Sequence, residues 1–309
     1  MQIIRGLHNL KPHHRHCVAT IGNFDGVHLG HQAVFRHLRE KGRALGLATT
    51  VITFEPQPME YFAPQQAPSR LTRLREKLAA IEHAGIDRVV ILEFGPRLAA
   101  MESGTFVSEL LVAGLDVRYL LVGDDFRFGR GRSGDIAALR QAGAVHGFGV
   151  ENMNSFLVGD ERVSSTRIRE SLAAGDLERA ACYLGRRYAI CGRVAHGAKR
   201  GRTIGFPTLN INLQRRVSPL RGVFAVMVYG IERAALPGVA NIGVRPTLQG
   251  DPRYLLESHL FDFNDSLYGK HLRVEFHHYL RHEQRFASFE ALRRQIVEDA
   301  RRARALLHR

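Results

Sequence analysis

The 309-residue chain, 45% hydrophobic and 24% charged, has apolar material for a packed core. It is long for one domain, and no run approaches the roughly 18 apolar residues that read as a membrane span. A formal charge of +14 first points to nucleic acid, but only five of the 44 basic residues are Lys. The Arg are scattered apart from a tail cluster (Arg293, Arg294, Arg301, Arg302, Arg304), and no Trp or aromatic-interleaved patch accompanies them. Nucleic-acid binding is therefore disfavoured as the main function. Met1 to His16 lacks the apolar stretch of a secretory signal. Cys17, Cys182 and Cys191 form no C-x-x-C pair, so the expectation is a reduced cytoplasm, with the thiols as small core hydrophobes.

In chain order, Cys17–Ile21 reads as a short strand ending in glycine and His31–Leu45 as a helix. Ala48–Phe54 is a β-branched strand, and Leu71–Ala84 a helix with Leu74, Leu78 and Ile81 on one face. Arg88–Phe94 is a strand, Phe106–Ala113 a helix and Val117–Val122 a strand. Such alternation predicts βαβ crossovers and a doubly wound parallel sheet with helices on both faces. Ser165–Ala174 and Leu177–Leu184 read as short helices. After Gly185 come short strands broken by Gly, Pro and Asn (Tyr188–Val194, Val223–Tyr229, Tyr254–Phe261, Leu272–Leu280). They predict an antiparallel barrel or sandwich. A last helix, Ser288–Leu307, carries Phe289, Leu292, Ile296 and Val297 as its apolar positions. The expected division is residues 1–185 and 186–309.

The strongest local signal runs from Gly22 to His31 (GNFDGVHLGH), between a strand and a helix. Ligands of open α/β sheets sit beyond the carboxyl ends of the strands. Gly22, Gly26 and Gly30 let backbone approach a phosphate, and helix N-terminal N–H groups favour an anion. His28 and His31, three apart, can face one site and stabilise charge on a transferring phosphoryl group. A solvated surface pair is the bland alternative. A metal site is another, but no third ligand is evident. Further along, Arg162–Arg169 (RVSSTRIR) can cap a helix with Ser165 and Thr166 while Arg169, and Arg162 as a second candidate, bind phosphates. An ordinary capped helix with solvated Arg remains the competing reading.

These residues resemble the nucleotidyltransferase superfamily with its H-x-G-H signature. More closely, they resemble the FMN adenylyltransferase module of prokaryotic bifunctional riboflavin kinase/FAD synthetases. Thr53–Pro58 (TFEPQP) is similar to that family's F-E-P-H-P segment, with Gln57 in place of its usual His. Val122–Gly129 (VGDDFRFG) resembles its flavin-side loop, and Arg162–Arg169 its I-S-S-T-x-I-R signature. The resemblance implies that Gly22, Asn23, Phe24 and Gly30 contact ATP. It also implies that His28 and His31 are catalytic, and that Arg162, Ser165, Thr166 and Arg169 hold the departing pyrophosphate. Asp125 and Phe126 lie at the flavin, with the choice between Asp124 and Asp125 open.

A second phosphate-handling stretch runs from Gly192 to Asn210 (GRVAHGAKRGRTIGFPTLN). It is glycine-rich without a G-K-[ST] ending, so it is not a Walker A loop. Thr208 and Asn210, two apart on an expected strand, present a hydroxyl and an amide oxygen on one face, which suits Mg²⁺. A glycine-rich turn before an edge strand competes with that reading. The stretch resembles the riboflavin kinase flap and its P-T-x-N motif, with Leu209 where Ala is usual. Gly238–Thr247 and Glu257–Gly269 are also characteristic of that module. Glu257 follows an apolar run, a setting that suits a general base, with a rim salt bridge as the alternative.

By resemblance, Glu257 is the base for the ribityl 5′-hydroxyl. Gly197, Arg202 and Gly205 hold phosphate, Thr208 and Asn210 hold Mg²⁺, and Arg285 is a flavin-binding residue near the product phosphate. The implied function is riboflavin phosphorylation followed by FMN adenylylation, using ATP with Mg²⁺ in a cytoplasmic monomer or weak homo-oligomer without nucleic-acid or membrane partners. The rivals are a nucleotidyltransferase with a different acceptor, which has no riboflavin kinase activity, and a nucleic-acid-binding protein.

Overall fold

The computed structural model describes residues 1–195, 206–213, 215–245 and 253–308. The phosphate candidates Gly197, Arg202 and Gly205 lie outside them. Two compact units result: Met1–Pro68 with Thr72–Ser164, and Ser69–Leu71 with Ser165–Arg309.

The first unit is a six-stranded parallel sheet in the order β1-β4-β3-β2-β5-β6. Its strands are β1 (Gln2–Arg5), β2 (Cys17–Ile21), β3 (Ala48–Glu55), β4 (Arg88–Glu93), β5 (Val117–Gly123) and β6 (Gly149–Met153). Between them run α1 (Leu29–Leu45), α2 (Pro58–Phe62), α3 (Leu74–His83), α4 (Pro96–Ala99), α5 (Ser103–Phe106) and α6 (Ile136–His146). Period-two alternation sends successive residues to opposite faces. Val18, Val51, Val89, Ile91 and Leu121 therefore join Phe35, Leu38, Leu78 and Ile81 of α1 and α3. Ala19, Ile52, Val90, Leu92 and Leu120 join Phe106, Leu110 and Leu139 on the other face. These two cores are what made the strands read as continuous apolar runs.

The expected helix Phe106–Ala113 is instead α5 followed by a π-helical segment, Val107–Gly114. Strands β1 and β6 and helix α6 were not expected from the sequence. Strand β1 is exposed on three of its four residues, and only Ile4 is buried. A two-stranded ribbon of β7 (Leu157–Val158) and β8 (Glu161–Arg162) completes the unit.

The second unit opens with α7 (Ser165–Ala173) and α8 (Leu177–Leu184) and continues into a closed antiparallel barrel, β10-β13-β12-β11-β14-β9. Its strands are β9 (Ala189–Ala195), β10 (Leu209–Asn212), β11 (Gly222–Tyr229), β12 (Leu236–Arg245), β13 (Arg253–Leu260) and β14 (His271–Arg281). Closure removes exposed sheet edges, which decides between barrel and sandwich.

Helix α9 (Phe289–Leu307) packs on the barrel through small residues. Its buried residues are Asp299, Ala300 and Ala303, against Val223, Ala225 and Val239. Phe289 and Val297 are exposed. Asp299 is 2% exposed and accepts from Arg281 Nε at 2.9 Å and Nη2 at 2.6 Å, and from Gln295 Nε2 at 3.0 Å. The helix is thus pinned by small residues and a buried ion pair at its C-terminal half, leaving the apolar N-terminal half free to line a cavity.

The thiols also depart from expectation. Only Cys17 is fully buried, and burial pushes it up to about 11; Cys182 is exposed and Cys191 half-buried.

Candidate functional site

In the first unit the chain order reverses between β2 and β5. The loop after β2 (Gly22–His28) and the loop after β5 (Asp124–Phe128) therefore meet at the carboxyl edge where such sheets bind ligands. The first loop is held in a demanding shape. Phe24 (φ 48°), Gly26 (φ 83°) and Val27 (φ 43°) are all left-handed, which for a β-branched valine costs about 1–3 kcal/mol. Burial of Phe24 and Val27 against the α1 core offsets that strain. Buried Asp25 accepts from the Thr72 backbone N–H (3.0 Å) and hydroxyl (3.2 Å), and the Gly26 N–H donates to the same hydroxyl at 3.0 Å.

His28 is the N-cap of α1, and its Nδ1 accepts from the His31 backbone N–H at 3.4 Å. The two rings stack at 3.6 Å and 20°, and Phe24 meets His31 edge-on. Gly30 makes the stack possible: a Cβ there would lie 3.2 Å from the His28 ring. His31 Nδ1 is enclosed and has no hydrogen-bond partner among the described residues. Burial, then His28, then Lys77 hold its pKa well below 6.5. The pair is thus a capped, ring-stacked device in which His31 is neutral at pH 7, able to orient on an anion rather than repel its neighbour.

Three further groups border this region. Lys77 on α3 is fully buried, with Nζ 3.5 Å from Thr53 Oγ1, which in turn donates to the Asn23 carbonyl at 3.4 Å. Gln57 is 7% exposed and its Nε2 has no partner among the described residues, so an amide donor stands ready where the family usually has His. Tyr61, Phe62 and Phe94 form an edge-to-face aromatic group with Phe62 62% exposed. Sequence reasoning missed Lys77, because a lysine on an amphipathic helix normally marks the solvent side. It also missed the aromatic group.

On the β5 side, Phe126 stacks parallel to Phe128 at 5.7 Å. Arg162 Nη2 donates to Asp124 (3.3 Å) and Asp125 (3.1 Å), and Ser155 donates to Asp124 at 2.7 Å. Arg162 therefore braces the loop after β5 in this conformation. Gly22 and Asn23 immediately precede Phe24, and a Cβ on Gly22 would press on the Phe24 ring at 3.0 Å. In the second unit, Ser165 and Thr166 are the first residues of α7, and Arg169 Nε donates to the Ser69 carbonyl at 2.6 Å.

The second unit holds a cavity of about 540 Å³ between the barrel wall and the N-terminal half of α9, lined in part by Phe206, Thr208, Asn241, Glu257, Phe286 and Phe289. Antiparallel register places Asn210 of β10 opposite Glu257 of β13, and Glu257 opposite Asn241 of β12. Directly paired residues share a face, so a carboxylate stands between two amides. Tyr254, Leu256, Ser258 and Leu260 fill the barrel, and Glu257 alternates to the outer wall, half-buried, rather than into the core.

Asn210 is 7% exposed and its Oδ1 has no partner among the described residues. With the Thr208 hydroxyl in the same wall, these neutral hard oxygens fit a Mg²⁺ that keeps several waters. His259 Nδ1 lies 2.9 Å from the Pro207 carbonyl and so anchors the start of this segment. Arg285 is exposed, while its neighbours Glu283, Gln284 and Phe286 line the cavity. No helix among the described residues is long and apolar enough to cross a membrane.

Comparison with known proteins matches a family to each half of the chain. The FAD synthetase family matches residues 10–167 and the riboflavin kinase family residues 184–307. The bifunctional riboflavin kinase/FMN adenylyltransferase of Escherichia coli K12 is 50% identical over 305 residues, covering 98% of this chain and 97% of that protein. The protein of the same description from Pseudomonas fluorescens is 52% identical over 306 residues, covering 99% and 98%. A solved structure from Streptococcus pneumoniae, described as a macrolide-efflux protein, superposes with a TM-score of 0.83 at 27% identity over 98% of this chain and 99% of that one. The chain belongs to the bifunctional riboflavin kinase/FMN adenylyltransferase family.

Proposed function

We propose that this chain phosphorylates riboflavin to FMN in its riboflavin kinase module (186–309) and adenylylates FMN to FAD in its adenylyltransferase module (1–185). The observation that carries the reading is the coexistence of the stacked His28–His31 pair at a helix start with the Asn210–Glu257–Asn241 row beside an apolar cavity. Near-full-length identity to relatives named for both activities supports it.

In the kinase step Glu257 takes the proton of the riboflavin 5′-hydroxyl. The freed oxygen attacks the γ-phosphorus of ATP, the bond to the β–γ bridging oxygen breaks, and ADP leaves. A volume of about 540 Å³ suits a tricyclic ring, and the Phe206, Phe286 and Phe289 walls are apolar. Thr208 and Asn210 would hold Mg²⁺, which neutralises phosphate charge in such transfers.

In the second step a phosphate oxygen of FMN attacks the α-phosphorus of another ATP, and pyrophosphate leaves. His28 and His31 stabilise the charge on the transferring phosphorus. Gly22, Asn23, Phe24 and Gly30 let the nucleotide approach backbone, while Ser165, Thr166 and Arg169 take the departing pyrophosphate, Arg162 joining them on release from its aspartates. Asp125, Phe126 and the exposed Phe62 receive the flavin, and Arg285 lies near the kinase product. We place the protein in the cytoplasm as a monomer or weak homo-oligomer without a nucleic-acid partner, its positive charge serving anionic substrates. Incubating the purified chain with riboflavin, ATP and Mg²⁺ and resolving products by chromatography should show FMN, then FAD. FAD formed only from supplied FMN would reject the kinase half.

A further inference from the structure

Asn241 and Glu283 form a contact that the phosphoryl-transfer reading leaves unused. Asn241 Nδ2 donates to Glu283 Oε1 at 3.2 Å. A carboxylate only accepts, so this contact settles which end of the amide is which. It turns Asn241 Oδ1 away from Glu283 into an enclosed position with no partner among the described residues. An enclosed amide oxygen without a donor is destabilising, which calls for a donor supplied from elsewhere. Gly243 lies two residues along the same face of β12, and a Cβ there would meet Glu283 Oε1, so the carboxylate rests over a strand position without a side chain. Both Asn241 and Glu283 line the cavity.

Placement decides what they meet. Asn241 is one strand, roughly 5 Å, from Glu257, on the side opposite Asn210. A group there sits a few atoms from the reacting hydroxyl, back along the substrate and away from the nucleotide. Two carboxylates and an amide oxygen offer acceptors only, which repel phosphate and suit hydroxyl donors. The apolar ring has its own walls in Phe206, Phe286 and Phe289.

We propose that the Asn241–Glu283 pair reads the secondary hydroxyls of the polyol chain on the kinase substrate and selects hydroxylated flavins over flavins with plain alkyl chains. The proposal rests on the kinase reading above. Asn241 and Glu283 are specificity-determining groups.

The test measures kcat and KM of the full-length chain for riboflavin and for its analogue with a 5-hydroxypentyl chain, which keeps the terminal hydroxyl and lacks the secondary ones. The wild type should prefer riboflavin by about 100-fold or more in kcat/KM. In Asn241→Ala or Glu283→Ala that preference should fall to about fivefold, through riboflavin KM, with kcat changed less than about threefold. Glu283→Gln, whose amide oxygen still accepts, should recover part of it. FMN adenylylation by the same preparations should be unchanged, which reports an intact fold. Preference kept in both alanine variants, or both flavins lost in equal proportion, would overturn the proposal. So would a wild type that phosphorylates the two flavins equally well. A wild type inactive on riboflavin would instead reject the kinase reading beneath it.

Discussion

The loop after β2 and the cavity under α9 handle phosphate chemistry in opposite ways. Ten consecutive residues, Gly22 to His31, carry the first site's turn, cap and ring stack, and the constraint is local: left-handed backbone at Phe24, Gly26 and Val27 and a glycine where His28 must lie close. The second site is gathered from β10, β12, β13, the segment after β14 and the first half of α9, none of which is distinctive alone. A site built from one turn is rigid because its backbone is strained into shape and held by burial. A site built across strands depends on register, and a one-residue slip would turn Glu257 into the barrel.

The sharpest way to break this comparison is His28→Ala. It removes the cap and one stacked ring together, and should lower FAD formation from FMN by about 10³-fold while FMN formation stays within about twofold. Assays with ATP plus FMN and ATP plus riboflavin separate the two, and loss of both activities in a folded variant would refute separate sites. Glu257→Gln should act in reverse, cutting riboflavin phosphorylation by about 10²-fold or more and leaving adenylylation of supplied FMN intact. Register-built geometry tolerates this isosteric change, so the circular dichroism spectrum should be unaltered.

Asp299→Ala probes what holds α9 over the cavity. It strands Arg281, 17% exposed at its side chain, beside a vacated partner, and should cost about 3 kcal/mol by urea denaturation. Its riboflavin KM should rise more than its FMN KM.

The smallest effect is in pH. Burial holds His31, His14, His259 and His277 below the ordinary 6.5. The unfolded chain takes up protons near pH 6.5 that the folded chain does not, so stability is full above that pH and declines as pH falls below it. Denaturation midpoints at pH 7.5 and 5.5 should differ in that direction, and His31→Gln should shrink the difference. Lys77→Met, by removing a cation that lowers His31, should move the His31 titration upward in a histidine NMR spectrum, and a downward shift would contradict the electrostatic role.

The parallel sheet was legible because both its faces are buried, and unbroken apolar runs such as Cys17–Ile21 and Arg88–Glu93 say so directly. Strand β1 was not, because an edge strand with one buried residue has no pattern to read. The histidine pair was legible as a candidate phosphate site, but the neutrality of His31 was not, since it comes from burial and from Lys77, which lies 46 positions away in sequence. Helix α9 shows the same limit. Its apolar positions were visible, but not which residues would meet the barrel. Asp299, Ala300 and Ala303 are buried against it, and Phe289, Leu292 and Ile296 line the cavity.

The sequence by itself determined the two modules, their order and the residue types proposed to meet phosphate, because periodicity and short motifs are properties of neighbours along the chain. Only the tertiary structure decided that the barrel closes, that Asn210, Glu257 and Asn241 stand in one row, that Glu283 orients Asn241, and that Lys77 lies buried near His31. Each depends on strand register or helix docking, which pair residues far apart in sequence through free energies that no local pattern records.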